Sequence, residues 1–177
     1  ISLSREAISC EGNDAGVTLR FRDGTSAAGD LLVGADGIGS VIRRQLHPDE
    51  PPPQPSGYAA VRGAVDDIGE MLGELDGVLC FAPRLEAAVV RAGARSAYWY
   101  MSLLSREVPA GVDNARSICQ HFAVRLDETF RRVIAATDDD DLRFDLLFQR
   151  RPLSQWGKGR VTLLGDAAHP MLPHTGQ

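Results

Sequence analysis

Two short apolar runs, each closed by glycine and an acid, dominate the pattern of hydrophobic and polar positions. The first is Leu31-Leu32-Val33-Gly34-Ala35-Asp36, followed by Gly37-Ile38-Gly39-Ser40. The second is Val161-Thr162-Leu163-Leu164-Gly165-Asp166, followed by Ala167 and Ala168. Runs of this kind, bounded by turn residues, predict buried strands. An acid at the carboxyl end of a buried strand stands where an open α/β sheet holds its ligand. The small residues beside it let a flat group approach the backbone closely.

The rest of the pattern places these two strands in one layer. Residues 17–22 alternate apolar and polar, and Asp23-Gly24 is a turn signal, so a hairpin feeds the run Leu31 to Ala35. Ser40 is a candidate helix cap, with Val41, Ile42 and Leu46 on the inner face of the helix it opens. The proline-rich stretch Pro48 to Pro55 breaks regular structure. Strands are then expected over 57–65, 78–81, 87–91, 97–104 and 142–148, with a short helix over 68–75. Ile118, Phe122 and Leu126 have helical spacing, and 130–136 continues or follows that helix. The acidic run Asp138 to Asp141 reads as a solvated loop. Arg150-Arg151-Pro152 ends this block, and Gly159 to Leu164 returns to the first layer. The order predicts one domain inserted into another: segments 1–47 and 156–177 on one side, 48–155 between them. The fold class is α/β with an α+β insert.

Composition narrows the function. An apolar content of 44% can build a core, and a net charge of −5 argues against nucleic acid. The positive charges are almost all arginine, Lys158 being the single lysine. No run approaches the roughly 18 apolar residues of a membrane span, and no secretory signal pattern opens the chain, so a cytoplasmic location is expected. Cys10, Cys80 and Cys119 are far apart without a Cys-x-x-Cys pair, which supports neither a metal site nor a disulfide framework.

The two junctions carry a resemblance. Leu32 to Arg43 reads apolar-apolar-Gly-Ala-Asp-Gly-x-x-Ser-x-x-Arg. Gly159 to Gln177 reads Gly-Arg-Val-x-Leu-Leu-Gly-Asp-Ala-Ala-His-Pro-Met-x-Pro-x-x-Gly-Gln. These resemble the middle and flavin-ribityl fingerprints of the FAD-dependent aromatic hydroxylases, the single-component flavoprotein monooxygenases of the para-hydroxybenzoate hydroxylase type. Arg62-Gly63 and Arg151-Pro152-Leu153 fall in the same order between them, and the His-Pro-Met and Pro-His variants resemble the salicylate and hydroxynicotinate hydroxylases. The resemblance implies part of a Rossmann-like FAD-binding domain interrupted by a mixed or antiparallel-sheet substrate domain. It also implies FAD as cofactor and NADH or NADPH as co-substrate. The reaction would be O2-dependent hydroxylation of a small aromatic substrate through a flavin C4a-hydroperoxide. The oligomeric state stays open, a dimer included. The family's opening Gly-x-Gly-x-x-Gly, which binds the FAD pyrophosphate at a helix N-terminus, does not occur in these residues. An internal fragment is therefore expected, with that segment and a C-terminal portion outside it.

Residue by residue, the resemblance makes Asp166 the acceptor for a ribityl hydroxyl, with Gly165 and Ala167 permitting close approach. Asp36 and Gly37 are a largely structural pair with contacts toward the cofactor phosphate and the pyridine nucleotide. Arg43 and Arg44 are either solvated helix charges or a structural bond to Asp36. Pro173 would lie beside the flavin ring. The Thr175, Gly176 and Gln177 backbone would lead to a helix N-terminus facing the flavin pyrimidine. His174 is a candidate for deprotonating or orienting a phenol, against a plain loop histidine. Arg62 is a candidate facing flavin or an acidic substrate, against a surface salt bridge. His169 is expected to pack within its loop, while His47 and His121 have no motif support. Trp99, or the pair Tyr98 and Tyr100, lines an aromatic pocket or packs in the core. Two other functions remain: a related flavin epoxidase or tailoring oxygenase, and a non-catalytic truncated fragment unable to bind FAD alone.

Overall fold

The computed structural model describes residues 1–66, 68, 71–112 and 114–173. The chain divides into two compact units, one made of 1–54 and 149–177, the other of 55–148.

The first unit opens with β1 (Ala7–Asn13), β2 (Gly16–Phe21) and β3 (Ser26–Gly29), an antiparallel meander in that order. The pattern had suggested only a hairpin; β1 escapes it because Cys10 is its single buried residue. β4 (Leu32–Gly34) and α1 (Val41–Leu46) come next. Ser40 caps α1 as expected, its hydroxyl accepting from the Arg43 N–H at 2.9 Å. Gly34 is required here: a Cβ would stand 2.9 Å from the Ile42 Cβ and 3.1 Å from Leu163, so the strand lies hard against the helix. Gln45 binds α1 to β1, donating to the Cys10 carbonyl and accepting from its N–H.

The second unit is a five-stranded sheet with two helices. Its strands are β5 (Gln54–Val65), β6 (Gly77–Ala82), β7 (Leu85–Arg91), β8 (Ala97–Leu104) and β9 (Leu142–Gln149), in the order β6-β7-β8-β5-β9. Its helices are α2 (Ala115–Ala123) and α3 (Glu128–Ala136), capped by the side chains of Asn114 and Asp127. They bury Ile118, Phe122, Phe130 and Val133 against the inward residues of the sheet, among them Val61, Val89, Trp99 and Met101. Trp99 is fully buried, and its ring N–H donates to the Thr137 hydroxyl at 2.9 Å. Gly63 pairs with Trp99 across β5 and β8 and makes room for the ring: a Cβ there would lie 2.8 Å from the indole nitrogen. The helix expected over 68–75 is absent from the described residues of that segment. They form turns, with Met71 bonded to Ile68, Leu75 to Leu72, and Gly73 at φ +56°.

The chain then re-enters the first unit through β10 (Gly157–Lys158) and β11 (Val161–Leu163). These join β4 in the order β10-β11-β4, with β11 parallel to β4. The apolar core of this unit is small: Cys10, Val17, Ile42, Val161, Leu163, Ala167 and Ala168. A polar hub reinforces it. The Arg43 side chain is 0% exposed and forms an ion pair with Glu50 at 2.6 Å. It also donates to the carbonyls of Ala167 (3.0 Å), Ala168 (2.9 Å) and Arg151 (3.1 Å). Arg150 shares Glu50 at 3.2 Å and donates to the Ile38 carbonyl at 2.9 Å. Arg43 is thus neither a solvated charge nor a partner of Asp36. No helix among the described residues is long and apolar enough to cross a membrane.

Gly63→Ala is expected to lower stability by about 1–3 kcal/mol through overpacking against Trp99. Urea denaturation followed by tryptophan fluorescence measures it, and an unchanged midpoint would contradict this packing. The Arg43 hydrogen bond holds the Glu50 carboxyl below its ordinary value of 4.5, burial opposing and the Arg43 charge adding to the effect. A lowered carboxyl contributes stability above its unfolded value, and that stability is lost as pH falls through the folded value. Glu50→Gln leaves two buried guanidinium groups without a counter-charge and is expected to cost about 3 kcal/mol near neutral pH. Denaturation at pH 7 and again below pH 4 should show the difference from wild type shrinking with acid. A pH-independent difference would rule out this role for the charge.

Candidate cofactor site

β4 and β11 run side by side, with Gly34 registered on Leu163 and the Leu164 N–H bonded to the Gly34 carbonyl at 2.9 Å. Both acid-bearing junctions therefore leave the same end of the same parallel pair. This is the carboxyl end, where ligands bind in sheets of this type.

The two acids do different work. Asp36 is committed to α1. One carboxylate oxygen accepts from the Ser40 hydroxyl and the other from the Val41 N–H at 2.8 Å, which satisfies the exposed donors of the first helical turn. Asp166 sits on a single 3-10 turn, Gly165–Ala167. Gly165, at φ +60°, turns the chain, and its carbonyl accepts the N–H groups of Ala168 and His169, both at 2.9 Å. Ala167 and Ala168 are fully buried, and their carbonyls are held by Arg43. Asp166 itself is exposed, and its carboxylate has no partner among the described residues. A Cβ built at Gly37 or Gly165 meets nothing within 4 Å, so both glycines border open space.

These features fit FAD's sugar-alcohol chain: an unpartnered anionic acceptor on a rigid turn, with small residues beside it. The group would be held by Asp166 and by the Gly165 and Ala167 backbone, while the Asp36 carboxylate is already occupied. His169 is exposed, and its ring stacks not within its own loop but on Trp156, at 5.0 Å and 23°. Pro173 is exposed. His174, Thr175, Gly176 and Gln177 lie outside the described residues.

Arg62 belongs to the other unit, on β5. It is half-exposed and paired with Asp145 at 3.0 Å. Strand alternation separates the aromatic candidates: Trp99 is core, while Tyr98 and Tyr100 stand on the opposite face. The Tyr100 hydroxyl donates to Glu86 at 2.7 Å. Burial, with this bond and the Glu86 charge adding to it, pushes the phenol up to about 12. Burial likewise pushes Cys119 up to about 11 and raises Cys10, so both thiols stay protonated and unreactive at neutral pH. Among the described residues no cluster of His, Cys, Asp and Glu could hold a metal ion.

Sequence reasoning missed Glu50, which is held by Arg43 and Arg150, and Arg150, whose other partners are the Ile38 and Pro51 carbonyls. It also missed the Tyr100–Glu86 pair, although the alternation in Tyr98-Trp99-Tyr100 carried part of that signal.

The sequence pattern described as FAD binding domain matches residues 1–177. The chain is 38% identical over 165 residues to the aurachin C monooxygenase/isomerase of Stigmatella aurantiaca, covering 92% of this chain and 42% of that protein. It is 34% identical over 173 residues to the chloroplastic zeaxanthin epoxidase of Spinacia oleracea, covering 94% and 24%. Against the FAD-dependent urate hydroxylase of Klebsiella pneumoniae it is 31% identical over 184 residues, covering 100% and 46%. It thus spans less than half the length of these relatives. The crystal structure of the Klebsiella pneumoniae HpxO R204Q variant complexed with FAD superposes with a TM-score of 0.85 at 29% identity, over 98% of this chain and 46% of that one. A salicylate hydroxylase substrate complex gives 0.69 at 26%, over 99% and 48%. With a parallel strand pair that presents an open carboxylate at its ligand-binding end, and with relatives of this kind, the chain belongs to the FAD binding domain family shared by the FAD-dependent monooxygenases.

Proposed function

We propose that this chain forms the ribityl side of the FAD site of a monooxygenase. The whole protein would insert one oxygen atom of O2 into a small ring-bearing molecule, with NADH or NADPH as reductant. One observation carries the reading: the exposed, unpartnered Asp166 carboxylate at the carboxyl end of β11, on a turn whose next two carbonyls are fixed by Arg43. FAD, when bound, supplies the redox and oxygen chemistry. The chain's own residues bind and orient. Asp166 accepts a hydroxyl of the ribityl chain, and Gly165 and Ala167 allow the contact. Asp36 and Ser40 fix α1 behind β4, and Gly37 leaves the junction open. Arg62 is tied to Asp145, which favours a positioning part on the second unit over direct attraction of an acidic substrate. The proposed hydroxylase and epoxidase alternatives share this arrangement, and the relatives' names include both. The Gly-x-Gly-x-x-Gly element is not among the 177 residues, so catalysis is proposed for the whole protein and not for this segment by itself.

Replacing Asp166 by Ala in the full-length protein removes one charge-assisted hydrogen bond. FAD affinity should fall about 10- to 100-fold, from about 1.5–3 kcal/mol. Asp166→Asn, which keeps an acceptor, should fall in between. Flavin absorbance after gel filtration, together with a fluorescence titration of the stripped protein with FAD, measures both. Full retention of FAD by the Ala variant would overturn the assignment of this acid.

A further inference from the structure

The chain leaves the first unit after residue 54 and returns to it at residue 149. Each crossing segment carries a charged residue close to the break, Glu50 before it and Arg150 after it. Every contact that follows lies inside the first unit. The Glu50 carboxylate accepts two Arg43 nitrogens, at 2.6 and 2.7 Å, and one Arg150 nitrogen at 3.2 Å. Arg150 also donates to the Pro51 carbonyl at 3.2 Å, so the returning segment is bonded directly to the departing one. The side chains of Arg150 and Glu50 are 3% and 13% exposed. Bonds of this kind are strong when buried, and losing one partner is costly.

This clasp reaches both junctions of the parallel pair. Arg150 donates to the Ile38 carbonyl at 2.9 Å, in the loop that joins β4 to α1. That loop contains Gly37, at φ +75°, and Gly39, and such backbone has conformational freedom to lose. On the other side of Glu50, Arg43 holds the carbonyls of Ala167 and Ala168 beside the Asp166 turn. Stability alone does not call for Arg150. Arg43 already neutralises Glu50 through two bonds, and a second buried guanidinium brings positive charge in excess. Burial accordingly pulls Arg150 below its ordinary value, with the Arg43 and Arg44 charges adding and Glu50 opposing. What Arg150 adds is a connection between the loop and the two crossing segments.

Resting on the FAD reading above, we infer that Arg150 is a positioning residue for the cofactor, and that it links cofactor binding to the anchoring of the two crossing segments. It acts on the β4–α1 loop through the Ile38 carbonyl, and on the Asp166 turn through Glu50 and Arg43. A ligand that needs both junctions in this arrangement binds the closed clasp better than the open one. By linkage, the bound ligand then favours the closed clasp by the same factor.

The test is hydrogen exchange, read by mass spectrometry on the full-length protein with and without saturating FAD. In the wild type, FAD should slow exchange at residues 36–40 and also at 149–151. Arg150→Gln leaves the Arg43–Glu50 pair balanced, so the variant should fold, which thermal melts check. In it, FAD should still slow exchange at 36–40 but no longer at 149–151. Its FAD affinity should fall about tenfold, the scale of one charge-assisted hydrogen bond. Arg150→Lys should fall in between, because a single ammonium lacks the planar fork that serves Ile38 and Glu50 together. Arg160→Gln is the control. Arg160 also donates to carbonyls, those of Asp14 and Asp30, but at the amino end of β11. Its loss should lower the melting temperature and leave FAD affinity within about twofold. Exchange at 149–151 that ignores FAD in the wild type, or that responds equally in Arg150→Gln, overturns the inference. So does an affinity loss as large in Arg160→Gln as in Arg150→Gln, since lost stability would then explain both. If FAD is held and these patterns are missing, the inference alone fails. If the full-length protein takes up no FAD, the cofactor reading fails and this inference falls with it.

Discussion

The buried guanidinium of Arg43 is the constraint on which the first unit depends. It gathers Glu50, Ala167, Ala168 and Arg151, which lie far apart in the chain and would otherwise share little apolar contact. The apolar core of this unit is too small to fix a turn such as Gly165–Ala167 by packing alone. Carbonyls that leave a strand and enter a turn lack ladder partners, and an unpaired buried carbonyl is costly. Arg43 supplies those donors from α1, and Glu50 neutralises the charge that does so. The geometry of the exposed acid beside them is a consequence of that bonding.

The two junctions divide the labour between them. Both have an apolar strand, a glycine and an acid, and both end at the same edge of the β4–β11 pair. Yet Asp36 is turned into its own helix by Ser40 and the Val41 N–H, while Asp166 faces open space. The cause lies in the segment that each acid leads into. After Asp36 a helix begins within five residues and needs its first N–H groups satisfied. Asp166 leads only into a single turn, whose hydrogen bonds are made by the Gly165 carbonyl. Like motifs therefore give one structural acid and one available acid.

Much of this was legible in the sequence. The two junctions, the Ser40 cap, the strands of the second unit and its two amphipathic helices come from periodicity and cap residues, which act locally. Among the described residues of 68–75 turns replace the expected helix, because Met71, Leu72 and Leu75 mimic helical spacing around Gly73, whose positive φ ends any regular turn. Trp99 against the two tyrosines was undecided until pairing with Gly63 showed which parity faces the core. The Arg43 hub was not legible at all. Its acceptors are carbonyls, which every residue carries, so no pattern of side chains announces them. Glu50 was further hidden inside a proline-rich stretch that otherwise reads only as a break.

Why an ionic hub occupies a place that apolar side chains could fill is answered by what must be bonded. A buried ion pair is often no more stabilising than well-packed hydrocarbon. Here, however, hydrocarbon would leave the Ala167, Ala168 and Arg151 carbonyls without donors, so the comparison does not favour it. Lysine would not serve either. Its single ammonium presents three donors at one point, whereas the planar fork of Arg43 reaches Glu50 through two nitrogens while another serves the two alanine carbonyls. The donor set has to be spread in a plane, because the acceptors come from different segments that approach α1 from different sides. Arg43 thus specifies a backbone conformation more than it adds stability, and that conformation is the one in which the Asp166 carboxylate is left pointing at solvent, ready to accept.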